Sequence, residues 1–241
     1  MLRYSISLSL IAACFAACSP EAAQITPADV PAIERSAQII APSSWMYEDG
    51  QIHFKKRVAE IEEVGPKPGG ILLIGDSITE GWMWQSFPYD GPVANHGVGW
   101  DVTEGVLARS PQILREDPKV VFVMIGTNDL SYDRTPDQIL PPLKTSLQSY
   151  AEQWPDAEIY LQSVLQRNGQ WDKSVVSLNA ALQKLTTHKD FKGRVTYIDL
   201  TPVMGPSPDV LREDFTNDGV HLTDAGYAAW GMALRPYLPR D

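Results

Sequence analysis

The stretch 69–82, GGILLIGDSITEGW, decides how the chain is read: the apolar run Ile71–Ile74 sits between glycines and stops abruptly at Gly75-Asp76-Ser77. A short apolar run bounded by glycine is the pattern of a strand buried on both faces of a parallel sheet. From Ile78 on, the chain reads as the start of a helix. Ser and Asp are ordinary helix-capping residues, so Ser77 is either a polar residue that starts a helix or a nucleophile held at a strand end. The choice between them rests on the rest of the chain.

On either side of this stretch, strands and helices alternate. PVANHG (92–97), KVVFVMIG (119–126), EIYLQSVL (158–165) and RVTYIDL (194–200) repeat the apolar-run pattern of a strand. Between them, DGQIHFKKRVAEIEEV (49–64), DVTEGVLARS (101–110), TPDQILPPLKTSLQSYAEQW (135–154), SVVSLNAALQKLTTH (174–188) and LTDAGYAAWGMALRPYL (222–238) carry helical spacing. Asp49, Asp101, Thr135 and Thr223 are the expected caps, with Pro136 at the first helical position and Gln138 completing a capping box. Pro141 and Pro142 are expected to bend the third of these helices early. Such alternation implies an α/β fold, a parallel sheet with helices on both faces. Ligands in such sheets sit beyond the carboxyl ends of the strands, where Ser77 is placed.

The chain has 241 residues, enough for one sizeable domain with a short appendage. Its net charge is −10 and its 20 Lys and Arg are scattered. No basic stripe offers itself to phosphates, so the chain is a poor candidate for binding nucleic acid, and none is expected as a partner. Residues 1–18, MLRYSISLSLIAACFAAC, stand apart: Arg3 is followed by an apolar stretch too short to span a bilayer, in the pattern of a secretory signal. Both cysteines, Cys14 and Cys18, lie there. LIAAC and CFAAC resemble the lipobox of bacterial lipoproteins, in which the cysteine is acylated. Cys18 leaves the better apolar length, and Cys14 is the alternative. The expected division is a lipoprotein signal over 1–18, a proline-bearing tether over 19–44 and a domain over 45–241. The matching location is the bacterial cell envelope, anchored to the membrane by lipid and facing the periplasm, or secreted if the signal is of the plain kind.

Small polar sets stand at the strand ends: Gly75-Asp76-Ser77; Asn95 and Gly97 in NHGVGWD; GTND at 126–129; and, before the last helix, Asp218 and His221 in NDGVHLT. Together they suit acyl transfer. A serine hydroxyl needs a positioned base, and an Asp three residues from a His can orient that base. The backbone N–H groups of Ser77 and Gly97 and the Asn128 amide are candidate oxyanion donors. Asp76 and Asp129 read as loop supports. Asp218-x-x-His221 would offer a metal two ligands only, so no metal or cofactor is expected.

GDSIT, the glycine block of NHGVGWD, GTND and DGVHL, in that order, resemble the four signature blocks of the SGNH (GDSL) hydrolase family over roughly residues 45–240, with most likeness to its bacterial platelet-activating-factor-acetylhydrolase-like esterases. The resemblance implies a three-layer α/β/α, flavodoxin-like fold with a five-stranded sheet of order 2-1-3-4-5, and no metal. It implies Ser77 as nucleophile, Asp218 and His221 as its partners, and Gly97 and Asn128 in the oxyanion hole. Trp100 departs from the subgroup, which has a small residue there, and this bears on substrate size.

The expected activity is hydrolysis of short acyl esters, acetyl above all, with a small acylated carbohydrate or lipid as substrate. A lysophospholipase or thioesterase, or a non-catalytic glycan-binding lipoprotein, are the rivals. Trp82, Trp84, Trp100 and Trp171 are candidates for a substrate pocket, or for packing beneath the loops. His53 and His188 are expected on helix surfaces, and His96 is left open beside Gly97.

Overall fold

The computed structural model describes residues 44, 46–84, 87–169, 175–191 and 193–239 and, of Met83 and Trp84, the backbone alone. The proposed signal, nearly all of the tether, both cysteines, Trp171 and the Trp84 side chain thus lie outside the described residues. The strands are β1 (Ile71–Gly75), β2 (Val93–Gly97), β3 (Val120–Met124), β4 (Glu158–Gln162) and β5 (Val195–Ile198). They form one parallel sheet of order β2-β1-β3-β4-β5. The helices are α1 (Glu48–Val64), α2 (Ser77–Glu80), α3 (Thr103–Ala108), α4 (Ser110–Ile113), α5 (Thr127–Ser131), α6 (Pro136–Gln153), α7 (Val175–Thr186), α8 (Thr201–Met204) and α9 (Asp224–Leu234). The expected three-layer α/β/α architecture is present.

Strand residues divide by parity between two cores. Leu72, Ile74, Val121, Val123, Ile159 and Leu161 pack on one face against Leu143 and Leu147 of α6 and Leu178 and Leu182 of α7. Ile71, Leu73, Val120, Phe122 and Met124 face the other way, onto Tyr227, Trp230 and Leu234 of α9. Burial on both faces explains why β1 and β3 are apolar throughout rather than alternating. β2 is an edge strand, and its outer carbonyls are covered by cations. Arg57 of α1 donates to Asn95 O at 2.9 Å and Gly97 O at 3.1 Å, and Lys67 to Val93 O at 3.2 Å. This blunts an edge that would otherwise pair with another chain.

Several helix starts differ from expectation. α1 begins at Glu48 with Tyr47 before it, and Asp49 is not its cap. α3 begins at Thr103; Asp101 is drawn away into a buried ion pair with Arg109 at 2.8 Å. Thr223 caps α9 and accepts from the Gly226 N–H. In α6 the Gln138 side chain accepts from the Thr135 N–H at 2.9 Å, as a capping box requires. α6 also continues through Pro141 and Pro142. Pro142 leaves the Gln138 carbonyl without its helical donor, and the Arg134 guanidinium takes that place at 3.0 Å. His188 lies just beyond α7 rather than on it. His96 is buried, its Nε2 2.8 Å from Glu116 Oε1.

Candidate active site

Gly75 is level with Gly97 of β2 and Met124 of β3, so these three strand ends share one rim. The chain turns there at once into α2. Asp76 caps that helix, its Oδ1 accepting from the Ile78 N–H at 3.0 Å. From below, the Tyr227 hydroxyl of α9 donates to Ile78 O at 2.8 Å. Asp76 thus caps the helix, and Ser77 is left with its hydroxyl toward the rim.

Ser77 Oγ lies 2.9 Å from His221 Nε2, and His221 Nδ1 lies 2.6 Å from Asp218 Oδ2. The other carboxylate oxygen, Asp218 Oδ1, accepts from the backbone N–H groups of His221 at 2.8 Å and Val220 at 2.9 Å. Burial pushes the Asp218 carboxyl up, but the His221 ring and these backbone donors outweigh it and hold it below the usual carboxylate range. Asp218 is therefore an ionised acceptor, which assigns the proton to His221 Nδ1 and leaves Nε2 free to accept from Ser77.

The loop carrying Asp218 and His221 is tied to the segment that follows β4 through Asn168. Its N–H donates to Gly219 O at 2.9 Å, its Nδ2 to Leu211 O at 2.9 Å, and its Oδ1 accepts from the Leu211 N–H at 3.0 Å. Asn168 does not stand out in the sequence. No local pattern around it points to a partner more than forty residues away.

The second rim loop corrects the reading of Gly97. Its N–H already donates to Asn95 Oδ1 at 2.8 Å, so it is not free to hold an oxyanion. An ideal Cβ on Gly97 would lie 2.1 Å from the Glu80 nitrogen, so glycine is needed there to let α2 lie against β2. Asn and the N–H two residues on form a familiar local bond, and that pattern in Asn95-His96-Gly97 was the available signal. Next comes a tight turn in which the Asp101 N–H donates to Val98 O at 3.1 Å. Trp100 occupies its third position with φ 68°, where a type II turn usually has glycine. Holding a tryptophan there costs about 1–2 kcal/mol. The Trp100 N–H has no partner among the described residues, whereas those of Gly97, Val98, Gly99 and Asp101 all have one.

Asn128, on α5, donates from Nδ2 to Asp101 O at 2.9 Å, which fixes its amide orientation beside this turn and leaves one further Nδ2 hydrogen. Asp129 supports the same loops by accepting from the Thr103 N–H at 3.0 Å and hydroxyl at 2.8 Å and pairing with Arg134 at 2.6 Å. Burial raises Asp129, and raises Asp101 to about 6 against the pull of Arg109.

Asp76 is pushed up to about 7, by burial first, with the Ile78 N–H opposing. The unfolded chain therefore sheds this proton near pH 4 while the folded chain keeps it to about pH 7. Stability falls as pH rises through that window. Asp76→Asn can still accept from the Ile78 N–H through its carbonyl oxygen. Urea unfolding at pH 5 and pH 7 is expected to show the native protein losing about 2–3 kcal/mol more than Asp76→Asn does; equal losses would contradict the assignment.

Trp82 lines a cavity with Phe87, Tyr89 and Val93 that neither Ser77 nor His221 borders. It is 5% exposed and packs on Phe87, Tyr227 and Trp230 with ring centroids 4.9–5.1 Å apart, supporting α2 from below. Trp100 is 41% exposed and lies against Gly50 and His53 of α1. Among the described residues, no group of three or more His, Cys, Asp and Glu gathers to hold a metal.

The model of the GDSL-like lipase/acylhydrolase family matches residues 73–229, which span both Ser77 and His221. The platelet-activating factor acetylhydrolase IB subunit alpha1 of Pongo abelii is 27% identical over 191 residues, 76% of this chain and 80% of that one. A solved structure from Streptococcus pneumonia, described as a platelet activating factor, is 26% identical with a TM-score of 0.70, covering 78% of this chain and 94% of that one. A GDSL-like lipase from Bacteroides thetaiotaomicron, 18% identical, shares the fold with a TM-score of 0.60 over 76% of this chain and 96% of its own. The chain belongs to the GDSL-like lipase/acylhydrolase family and is a carboxylic ester hydrolase.

Proposed function

We propose that the protein cleaves short acyl esters, acetyl esters foremost, through an acyl-enzyme on Ser77. The observation that carries this reading is the unbroken chain Ser77 Oγ–His221 Nε2–Asp218, with links of 2.9 and 2.6 Å. His221 takes the Ser77 proton as Oγ attacks the ester carbonyl, and Asp218 stabilises the imidazolium that forms. The tetrahedral oxyanion is met by the Ser77 and Trp100 N–H groups and the remaining Asn128 amide hydrogen. His221 then returns the proton to the leaving alcohol. In the second half it activates water, which displaces the acyl group and regenerates Ser77.

The acetyl preference draws on the curated relatives, which are named for acetyl hydrolysis, and on Trp100, whose bulk stands where the family resemblance leads one to expect a small residue. The test is hydrolysis of p-nitrophenyl acetate, butyrate and octanoate. A kcat/KM that falls at least tenfold from acetate to octanoate is expected. A rise with chain length would favour lysophospholipase or thioesterase activity instead.

The sequence of residues 1–18 supports a further part of this reading, that Cys18 carries a lipid anchor holding the enzyme at the periplasmic side of a bacterial envelope. Detergent-phase partition of the full chain that is lost in Cys18→Ala is the expected result; partition unchanged in both Cys18→Ala and Cys14→Ala would overturn it.

A further inference from the structure

Glu80 belongs to neither the Ser77–His221–Asp218 chain nor the oxyanion donors, yet its side chain is only 8% exposed and its bonds converge on the rim. Its Oε2 accepts from the Gly99 N–H at 2.6 Å and lies 2.9 Å from His53 Nε2 on α1. It lies three positions after Ser77, on the same short helix. An ideal Cβ on Gly99 would lie 3.0 Å from the His53 ring and 3.3 Å from Glu80 Oε2, so the glycine lets the loop seat directly on the carboxylate.

The residue after Gly99 is Trp100, which is held at φ 68° and carries the N–H without a partner among the described residues. A residue in the left-handed region persists only where its surroundings hold it there. On one side, the peptide after Trp100 is held by the Asp101 N–H on Val98 O, and the next peptide by Asn128 on Asp101 O. On the other side, Glu80 holds the Gly99 N–H, one peptide ahead of the Trp100 N–H.

We propose that Glu80, braced by His53, is a positioning residue that aims the Trp100 N–H at the oxyanion of the tetrahedral intermediate on Ser77. This rests on the esterase reading above and adds a reason for a buried carboxylate beside the nucleophile helix. One side chain links α2, which carries the Ser77 N–H and hydroxyl, to the turn that carries the Trp100 N–H. The donors on the two elements therefore keep a fixed separation. Without the carboxylate, the Gly99 N–H loses its partner, the turn relaxes from the strained φ, and the Trp100 N–H swings off the oxyanion. Because the oxyanion forms only in the transition state, the loss falls on kcat rather than on KM.

The experiment compares Glu80→Ala, Glu80→Asp and Glu80→Gln by steady-state kinetics on p-nitrophenyl acetate and by inhibition with methylboronic acid, which forms a tetrahedral adduct on an active serine. Glu80→Gln keeps an acceptor oxygen at the same reach and is expected to retain kcat within about threefold. Glu80→Asp keeps the charge but withdraws the oxygen, and with Glu80→Ala it is expected to lose about 10- to 100-fold in kcat with KM within twofold. Inhibition by the boronate is expected to weaken by the same factor. Should Glu80→Ala fail to fold, the contrast between Asp and Gln decides alone. Full kcat in Glu80→Asp, or a loss confined to KM with boronate inhibition unchanged, overturns the proposal. Hydrolysis by the unaltered enzyme that disappears in Ser77→Ala is measured alongside. If it is missing, the esterase reading fails; if it is present and the Glu80 variants keep full rate, only this proposal fails.

Discussion

Ser77→Ala is expected to lower kcat for p-nitrophenyl acetate by about 10⁵–10⁶-fold while leaving the thermal midpoint within about 2 °C of the parent. On the proposed mechanism, the large kinetic effect follows from the loss of the group that forms the acyl bond. His221 could at best direct a water, from a position 2.9 Å behind the missing oxygen. The small stability effect follows from location. The hydroxyl bonds to the exposed His221 ring, and removing it leaves no buried polar group unpaired. The helix start survives because Asp76, not Ser77, caps it. Steady-state turnover and calorimetry on the same sample check both halves. A variant that keeps more than about 1% of kcat would mean that the serine is not the nucleophile.

Asp218→Asn is the second large effect, about 10⁴-fold in kcat with KM little changed; this magnitude is that of the equivalent change in a serine protease. The geometry here supplies its own reason. Asp218 Oδ1 receives two backbone N–H groups, from Val220 and His221, and only the amide oxygen of an asparagine can replace it there. The amide nitrogen must then face His221 Nδ1, where Oδ2 stood. A donor at that place forces Nδ1 to accept, so the ring proton moves to Nε2 and points at Ser77. The histidine is then the wrong tautomer to act as a base. A proton NMR spectrum should lose the downfield Nδ1–H resonance in Asp218→Asn along with activity. Retention of that resonance with full turnover would show that the carboxylate has no part in orienting the ring.

Much of this was open to reading in the sequence, for identifiable reasons. Ile71–Ile74 and Val120–Met124 are buried on both faces, and that burial writes an uninterrupted apolar run that local reading detects. Thr135 and Thr223 announce their helices because capping is local chemistry. Asp101 misled for the opposite reason: its partner is Arg109, and a buried ion pair overrides a local capping preference. Pro141 and Pro142 fall inside α6 as expected, and Arg134 supplies the donor that Pro142 lacks.

At the site, Ser77, Asn128, Asp218 and His221 could be placed because each belongs to a short block at a strand or loop end. Gly97 and Trp82 show the limit of that method. Motif position puts both near the site, but the contact that fixes Gly97 is with Asn95 and α2, and Trp82 is held by α9 and Phe87. Glu80 and Asn168 act through partners brought close only by the fold, and nothing in their own neighbourhoods announces it.

Whether Ser77 is the nucleophile is decided by reacting the unaltered protein with an ethyl fluorophosphonate, digesting it and locating the adduct by mass spectrometry. The expected product carries one phosphonyl group, on the peptide containing Ser77, formed rapidly in the parent and at a rate at least 10³-fold lower in His221→Ala, an order-of-magnitude expectation for loss of the base. An enzyme that hydrolyses p-nitrophenyl acetate yet carries no adduct at Ser77, or carries it on another residue, would contradict that role.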